Sequence, residues 1–337
     1  MKIIGSVKED HTIEKRIPIT PETVKKLKEL GFSILIEKKY GDHLSLSDEE
    51  YVKNGAELKD SKKEILDKSD IVLKVNLPVN SELEIIKDKS VLIGQFDTFS
   101  NKDIINKLVK KKVKIFSLTL LPRITRAQSM DVLSSQANLA GYRAVIESVE
   151  EFDKAVPMMM TAAGTIPPAK VLVIGAGVAG LQAIATAKRL GAIVSATDVR
   201  TVAKEQVESL GGKFLSVEGA KNLETKEGYA KEAGEDFKRK QSELLKNNLK
   251  KNDIVICTAL IPGKKAPKII SEEMVKILKP GSIIYDLAAS QGGNSAYSEP
   301  DKTKIVNGVK IMGKKNILND LALTASNLYA KNLFNFV

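Results

Sequence analysis

The sequence contains very little cysteine, histidine or aromatic residue. Of its 337 residues, one is cysteine, two are histidine, none is tryptophan, and 5% are aromatic. The single cysteine, Cys257, cannot form an intramolecular disulfide, which is typical of a protein kept in a reducing compartment. This count excludes zinc sites built from several histidines and cysteines, so we expect no metal centre. Any mechanism that needs a histidine must use His11 or His43.

Arginine is also scarce, although the formal net charge is +11. Only seven of the 53 basic residues are arginines, and the lysines are scattered along the chain, mostly on the polar faces of predicted helices. Nucleic-acid platforms interleave basic side chains with aromatic ones, and this sequence has too few aromatic residues to form such a platform. We therefore expect no nucleic-acid binding.

Long hydrophobic runs are absent as well. Residues 171–187 form a stretch of 17 residues without a charge, but it contains three glycines. It is also shorter than the roughly 20 residues that a transmembrane helix needs. The N-terminus leads directly into a predicted strand and has no signal-peptide pattern. We therefore expect no direct insertion of this chain into a membrane.

Short apolar runs alternate with amphipathic stretches along the chain. In the first 120 residues we predict strands at residues 2–7, 33–37, 71–75, 91–96 and 113–118. After a long helix predicted at residues 136–152, further strands are predicted at residues 171–175, 192–197, 213–217, 253–259, 282–287 and 309–312. Strands that alternate with helices at this spacing predict parallel sheets covered on both faces.

The two series predict an α/β protein with two Rossmann-like domains and parallel sheets. A helix predicted at residues 323–336 has no place in a completed second domain, so we expect it to pack on the first. The expected domains are residues 1–135 plus 317–337, and residues 136–316, inserted in the first. A polar stretch at residues 218–234 lacks apolar periodicity and is expected to be a functional or mobile loop.

A glycine motif identifies the second domain as a doubly wound NAD-binding domain. Gly175, Gly177 and Gly180 follow an apolar strand and open a helix, as a GxGxxG phosphate site requires. The first glycine permits a tight turn, the second lets the backbone approach a pyrophosphate, and the third lets the helix pack on the strand. Backbone amides around Val178 and Ala179 would then face the phosphates. The alternative is a tight strand–helix turn without a ligand.

An aspartate at the end of the following strand predicts which dinucleotide binds. Asp198 can accept hydrogen bonds from the adenine-ribose hydroxyls and would repel a 2′-phosphate. We therefore expect a preference for NAD(H) over NADP(H). Arg200 follows two residues later, and it would either accept that phosphate or pair with a nearby surface acid.

Several segments carry a resemblance to a known family. They are residues 20–24, 73–78, 123–131 and 133–143 in the first domain, and residues 171–180, 197–200, 259–264, 286–288 and 292–294 in the second. From end to end, the chain resembles the NAD(H)-binding component of proton-translocating NAD(P) transhydrogenases. It departs from that pattern at Lys265, where the family usually has proline, and at residues 316–325.

The resemblance implies a set of site residues. A loop that positions the nicotinamide would contain Arg123, Gln128, Asp131 and Ser134. The nucleotide would contact Gly175, Gly177, Val178, Ala179, Gly180, Asp198, Val199, Arg200, Ala259 and Leu260, and a mobile loop with Gly228 and Tyr229 would close over it. The alternative for Arg123 and Asp131 is an interdomain ion pair, and the alternative for Tyr229 is an ordinary surface aromatic.

The resemblance also implies a reaction and partners. In that family, hydride passes directly from NADH on this component to NADP⁺ on a partner subunit, coupled to proton translocation by a membrane-spanning partner. It implies a homodimer attached to those NADP(H)-binding and membrane-spanning subunits at the cytoplasmic face of the inner membrane. Direct hydride transfer needs the two rings held about 3–3.5 Å apart and needs no acid or base from the protein.

Two other functions are compatible with this architecture. Alanine dehydrogenases share it, and Arg16 and Lys74 align with their carboxylate-binding and substrate-binding cations. Their chemistry needs a proton shuttle, for which they use a histidine that is missing from residues 92–99. Asp97 lies in that segment, but an unperturbed carboxylate matches neutral pH poorly, and both histidines are expected in exposed polar turns. The second alternative is an NAD(H)-sensing module without turnover.

Overall fold

The computed structural model describes residues 2–217, 234–260 and 264–337, without the side chains of residues 235–238. The chain forms two compact units, which we call the first unit (Met1–Gln136 with Leu318–Val337) and the second unit (Ala137–Ile317). Each unit is built on a sheet of mainly parallel strands connected by helices. The predicted α/β class with parallel sheets is therefore confirmed.

The sheet of the first unit contains six parallel strands. They are β1 (Ile3–Ser6), β2 (Ser33–Glu37), β3 (Ala56–Lys59), β4 (Ile71–Leu73), β5 (Val91–Gly94) and β6 (Lys114–Ser117). The connecting helices are α1 (Pro21–Glu29), α2 (Asp48–Lys53), α3 (Lys62–Lys68), α4 (Asn80–Ile85) and α5 (Lys102–Lys110). The strand order is β3-β2-β1-β4-β5-β6, so the winding reverses between β1 and β4. In doubly wound sheets, ligands bind at the carboxyl ends of the strands beside such a reversal.

The second unit contains most of the long helix α6 (Val132–Glu150), followed by a small hairpin of β7 (Met159–Thr161) and β8 (Gly164–Ile166). Its sheet strands are β9 (Lys170–Ile174), β10 (Ile193–Thr197), β11 (Lys213–Phe214), β12 (Ile254–Cys257), β13 (Ile283–Asp286), β14 (Lys304–Val306) and β15 (Val309–Met312). Its helices are α7 (Val178–Arg189), α8 (Ala203–Ser209), α9 (Glu235–Leu249) and α10 (Glu272–Lys276). The strand order is β11-β10-β9-β12-β13-β15-β14, with only β14 antiparallel to its neighbour among the described strands of this sheet.

The core of the first unit lies on both faces of its sheet. Strand β2 buries Ile34 and Ile36 in one hydrophobic cluster and Leu35, whose side chain points the other way, in a second cluster. The C-terminal helix α11 (Ala322–Phe336) packs into the first of these clusters, where Tyr329 is completely buried. Burial of alternate residues on opposite faces is what a parallel sheet covered by helices requires.

Local sequence signals set the starts of several helices. Pro21 is the first residue of α1, and the preceding Thr20 donates its amide hydrogen to Thr23 Oγ1 at 2.9 Å. Before α2, Ser47 Oγ accepts from the Glu50 amide at 3.2 Å, and the Ser47 amide donates to Glu50 Oε2 at 3.1 Å. This reciprocal capping box satisfies amides that the helix itself cannot pair.

Four short strands, β3, β7, β8 and β14, were not predicted from the sequence. The residues of β7 and β8 are exposed on both faces, and those of β14 are exposed or half-buried. Strand β3 buries only its first residue, Ala56. Without a buried face these segments lack the alternating pattern that identifies a strand. Among the described residues, no helix is both long and apolar enough to cross a membrane.

Candidate dinucleotide site

A tight glycine turn connects β9 to α7 in the second unit. Gly175 has a φ of +93°, which favours glycine, and a Cβ on it would lie 2.7 Å from Thr258 Oγ1. The Gly175 amide donates to the Thr197 carbonyl at 2.9 Å, and its carbonyl accepts from Thr258 Oγ1 at 2.8 Å. Because Thr197 ends β10 and Thr258 follows β12, the turn is tied to both strands that flank β9.

Two further glycines permit close backbone packing around this turn. A Cβ on Gly180 would lie 1.9 Å from the carbonyl oxygen of Gly175, so a larger residue would push α7 away from the turn. A Cβ on Gly141 in α6 would lie 2.0 Å from the carbonyl oxygen of Ala179. No role was predicted for Gly141, although a glycine inside a long helix, which costs about 1 kcal/mol relative to alanine, is a signal of such packing.

Helix α7 presents its N-terminus at the same turn. Gly177 is the extended N-cap residue, and Val178 and Ala179 are the first two residues of the helix. Amides in a first helical turn have no partner within the helix, and the helix dipole adds partial positive charge there. Together with the clearance that the glycines provide, this arrangement fits a dinucleotide pyrophosphate.

Asp198 directly follows β10 and lies beside the glycine turn. Its side chain is 6% exposed, and its Oδ2 accepts a hydrogen bond from the Ala176 amide at 2.7 Å. Its Oδ1 accepts from the Arg200 amide at 2.8 Å. These two main-chain donors fix the carboxylate at the edge of the sheet where the predicted phosphate turn lies.

The guanidinium of Arg200 pairs with Asp198 itself. Arg200 Nε donates to Oδ1 at 2.9 Å and Nη2 donates to Oδ2 at 3.0 Å, which makes the pair bidentate. Pairing with an acid was one of the two alternatives predicted for Arg200. The acid is Asp198, the residue predicted to bind the ribose. Val199, between the two, is half-buried.

Asn294 fixes the backbone of Ala259, which follows β12. Asn294 Oδ1 accepts from the Ala259 amide at 3.0 Å, and its Nδ2 donates to the carbonyls of Ala259 at 2.8 Å and Pro267 at 2.9 Å. Asn294 is completely buried, whereas Leu260 is 41% exposed. Asn294 occurs in one of the segments of resemblance, but its clamping role was not predicted because its partners are distant in sequence.

The structure thus brings three predicted elements to one edge of the second sheet. The glycine turn, Asp198 and Ala259 follow β9, β10 and β12, which are adjacent parallel strands. This is the carboxyl edge beside the reversal of the strand order, where doubly wound sheets bind nucleotides. The predicted residues Gly228 and Tyr229 lie outside the residues that the structure describes.

The predicted nicotinamide-positioning residues belong to the first unit. Arg123 and Gln128 are exposed, and Gln128 lies in a 3₁₀ helix that ends just before Asp131. Asp131 accepts from the Ser134 amide at 2.9 Å and from Ser134 Oγ at 2.6 Å. Asp131 therefore caps α6, and this cap explains why the helix begins at Val132, four residues earlier than predicted.

Arg16, which aligns with a substrate-binding cation of alanine dehydrogenases, is buried and engaged in the first unit. Its Nε and Nη2 donate to the two oxygens of Glu14 at 2.8 and 2.7 Å. Its Nη1 donates to Gln95 at 3.1 Å and to Gln136 at 3.0 Å. Burial alone would lower the pKa of Arg16, but the hydrogen bonds and charge of Glu14, together with Tyr329 and Glu9, outweigh it, and the pKa is raised.

Lys74, which also aligns with a substrate-binding cation of alanine dehydrogenases, is likewise paired with carboxylates of the chain. Its side chain is 2% exposed, and Nζ lies 3.0 Å from Glu82 Oε2 and 3.6 Å from Glu9 Oε2. Glu9 Oε1 also accepts from the amides of Val75 at 2.8 Å and Asn76 at 3.3 Å. Burial nevertheless raises the pKa of Glu9 above its usual value. Both cations are therefore held by carboxylates of the chain itself.

The two histidines stack on each other in the first unit. The ring centroids of His11 and His43 are 3.7 Å apart, and His43 Nε2 lies 2.7 Å from the Lys15 carbonyl oxygen. His43 is exposed, as predicted, but His11 is half-buried. Burial and the neighbouring His43 lower the pKa of His11.

Asp97 accepts from the amides of Phe99 and Ser100, which is a local turn contact.

Comparisons with known proteins match the chain over nearly its whole length. The family model described as alanine dehydrogenase/PNT, N-terminal domain, matches residues 5–140, and the model for the C-terminal domain matches residues 144–337. The chain is 52% identical to the first part of the NAD(P) transhydrogenase alpha subunit of Rhodospirillum rubrum, over 99% of this chain and 89% of that protein. It is 30% identical to alanine dehydrogenase of Methanococcus maripaludis, over 87% of this chain and 73% of that protein. The crystal structure of transhydrogenase from Sinorhizobium meliloti is 47% identical, with a TM-score of 0.91 over 99% of this chain and 92% of that one.

Proposed function

The chain belongs to the alanine dehydrogenase/NAD(P) transhydrogenase family, and we propose that it is the NAD(H)-binding alpha subunit of a proton-translocating NAD(P) transhydrogenase. The observation that carries this proposal is the convergence of the glycine turn and Asp198 on one carboxyl edge of the second sheet. Bound NADH would supply the hydride, and NADP⁺ on a partner subunit would receive it.

In this proposal, the second unit holds the dinucleotide through its backbone. The amides of Gly177, Val178 and Ala179 would bind the pyrophosphate, and Asp198 would accept from the adenine-ribose hydroxyls. Gly175 and Gly180 let the turn and α7 pack closely, because a Cβ on either would meet Thr258 or the turn itself. Val199, Arg200, Ala259 and Leu260 would line the rest of the cleft, and Gly228 and Tyr229 would close over it.

The first unit would position the nicotinamide through Arg123, Gln128, Asp131 and Ser134. The amide of Gln128 and the guanidinium of Arg123 can hold a carboxamide and a ribose without exchanging protons. Asp131 is fixed by two hydrogen bonds from Ser134, so its geometry is set before ligand binds. Direct hydride transfer needs such orientation and exclusion of water, and it needs no titrating group.

We expect three partners, namely two other subunits and a second copy of this chain. An NADP(H)-binding subunit and a membrane-spanning subunit would couple hydride transfer to proton translocation and hold the chain at the cytoplasmic face of the inner membrane. A second copy of this chain would cover the β7–β8 hairpin, in which Met160 is 82% exposed and Met158, Met159 and Ile166 are exposed as well. An isolated two-stranded hairpin is marginally stable in water, so this apolar hairpin needs a partner surface.

The homodimer can be tested at the hairpin. Replacing Met160 by Asp places a charge on its most exposed apolar side chain and should weaken the dimer at least tenfold, measured by sedimentation at several concentrations. Ile305→Asp, at an exposed position in β14, is a matched control that should leave the association unchanged. A Met160→Asp variant that dimerises like the unmodified chain would contradict the role of the hairpin.

Alanine dehydrogenation is the second candidate, and the first unit disfavours it. Arg16 is held by Glu14, and Lys74 is held by Glu9 and Glu82, so neither cation is presented to a substrate carboxylate without breaking a buried ion pair. Gln95 accepts from Arg16 and cannot act as a proton shuttle. A sensing module without turnover would need none of the positioning loop around Asp131.

One experiment separates these functions. The chain is mixed with an NADP(H)-binding subunit of a NAD(P) transhydrogenase, with NADH deuterated at the transferred position and with NADP⁺. Deuterium should appear in NADPH by mass spectrometry, and NAD⁺ with L-alanine should yield no NADH. Reduction of NAD⁺ by L-alanine would favour the dehydrogenase, and NADH binding without deuterium transfer would favour the sensor.

A further inference from the structure

The carboxylate of Asp198 already accepts as many hydrogen bonds as it can. Its Oδ1 accepts from the Arg200 amide and Arg200 Nε, and its Oδ2 accepts from the Ala176 amide and Arg200 Nη2, all within 3.0 Å. A carboxylate offers about four acceptor positions. A ribose hydroxyl can therefore bind Asp198 only if one of the present donors leaves.

These four donors differ in how readily they can leave. The amides of Ala176 and Arg200 belong to the glycine turn and to the chain after β10, so their removal would require the backbone to move. Nε and Nη2 belong to a side chain, which can leave by rotation about its own bonds while the backbone stays in place. The adenine ribose offers two adjacent hydroxyls, so it can replace the two guanidinium donors one for one and leave both oxygens satisfied.

The guanidinium also lies beside the predicted path of the pyrophosphate. A Cβ on Gly177 would come 4.0 Å from Arg200 Nη2. Gly177 is the motif glycine whose missing side chain lets the backbone approach the pyrophosphate. Arg200 therefore occupies space next to both contacts that the nucleotide needs, the carboxylate and the glycine turn.

We infer that Arg200 competes with the nucleotide ribose for Asp198 and thereby sets the selectivity between NADH and NADPH, an inference that rests on the proposed function. Once displaced, Arg200 remains two residues from Asp198, so its positive charge stays close to the ribose. That charge would attract a 2′-phosphate and offset part of the repulsion from Asp198. Arg200 therefore weakens NADH binding and strengthens NADPH binding relative to Asp198 alone.

Two substitutions separate the competition from the charge. Arg200→Met removes both the bidentate donors and the charge, so NADH should bind about threefold to tenfold more tightly and NADPH more weakly. Arg200→Lys keeps the charge and loses the planar fork, so NADH should again bind more tightly while NADPH binding is retained. Arg189→Met is the matched control, since Arg189 is an exposed residue at the end of α7 and should change neither affinity.

Calorimetric titration of the full chain measures NADH affinity, and competition against NADH measures NADPH affinity. Thermal unfolding of each variant establishes that it is folded. Tighter NADH binding by both Arg200 variants supports the competition. Unchanged or weaker NADH binding by both folded variants, beside normal binding by the unmodified chain, would overturn the inference and leave the proposed function intact. Failure of every protein, including the unmodified chain, to bind NADH would overturn the proposed function and the inference together.

Discussion

The two units have the same strand order beside the reversal of their sheets, but they fill that place with different chemistry. In the first unit, Glu9 follows β1 and its carboxylate accepts from the amides of Val75 and Asn76, which follow β4. In the second unit, β9 takes the position of β1 and β12 that of β4. The glycine turn follows β9 there, and Thr258 after β12 donates to Gly175.

This difference shows that topology supplies a crevice and side chains decide whether a ligand can use it. In the first unit, a carboxylate of the chain already takes the amides that an anionic ligand would need, and Lys74 offsets its charge. In the second, Gly177 leaves the start of α7 uncovered, since a Cβ there would come no closer than 4.0 Å to the Arg200 guanidinium. We call the first of these the closed edge, because internal ion pairs of Glu9 and Lys74 occupy it. We call the second, formed by the glycine turn and Asp198, the open edge, because it is built to receive an anion.

The stability of the closed edge should depend strongly on the positive charge of Lys74. Replacing Lys74 by Met leaves the carboxylates of Glu9 and Glu82 buried without this cation, so the free energy of unfolding should fall by about 3–5 kcal/mol. Denaturant unfolding would measure the loss. Lys25→Met, an exposed lysine in α1, is the control and should cost less than about 1 kcal/mol. A loss at Lys74 as small as at Lys25 would mean that the edge is not held by its ion pairs.

The packing and the NADH affinity of the open edge should depend on Gly180. The Cβ of an alanine there would lie 1.9 Å from the Gly175 carbonyl oxygen, so α7 must move away from the turn. We expect Gly180→Ala to cost about 1–3 kcal/mol of stability and to weaken NADH binding about tenfold or more. Gly31→Ala in the first unit is the control: its φ of +88° makes an alanine strained, so it should also lose stability but should keep normal NADH affinity. Normal NADH affinity in a folded Gly180→Ala variant would show that the helix start does not contact the nucleotide.

The open edge was largely predictable from sequence, and the closed one was not. Gly175, Gly177 and Gly180 lie within six residues, and backbone conformation fixes what each glycine does, so the motif and its strand–helix context determine the turn. Asp198 was predictable as well, since it ends the next strand. That Arg200 would take its two oxygens depended on side-chain geometry, which spacing alone does not determine.

The closed edge could not be predicted because its partners are distant in sequence. Glu9 meets Lys74 and the amide of Val75 more than 60 residues later, and charged residues in polar segments are normally exposed. Gly141 and Asn294 are similar cases, since their partners Ala179 and Ala259 lie 38 and 35 residues away in the chain. Only the tertiary fold reveals such pairs.

The smallest expected effect concerns the pH dependence of the closed edge. Burial raises the pKa of Glu9, so the folded chain binds this proton more tightly than the unfolded chain. The stability that protonated Glu9 contributes is full below the unfolded pKa and is lost as the pH rises through the folded pKa. Gln at position 9 cannot titrate, so Glu9→Gln should become more stable relative to the unmodified chain as the pH rises. The gain should be about 1.4 kcal/mol for each pH unit that separates the folded pKa of Glu9 from its unfolded pKa.

Denaturant unfolding of both proteins between pH 4 and pH 8 measures this difference. Glu22→Gln is the contrasting control: the hydrogen bond from Lys26 lowers the pKa of Glu22, so this variant should become less stable relative to the unmodified chain as the pH rises. A constant difference across this range would mean that Glu9 has the same pKa in the folded and the unfolded chain, with Lys74 and the two amides compensating completely for burial. The Glu9 carboxylate would then act as a bound anion, stabilised by Lys74 and two main-chain amides. In its ability to stabilise an anion, the closed edge would resemble the open edge despite its burial.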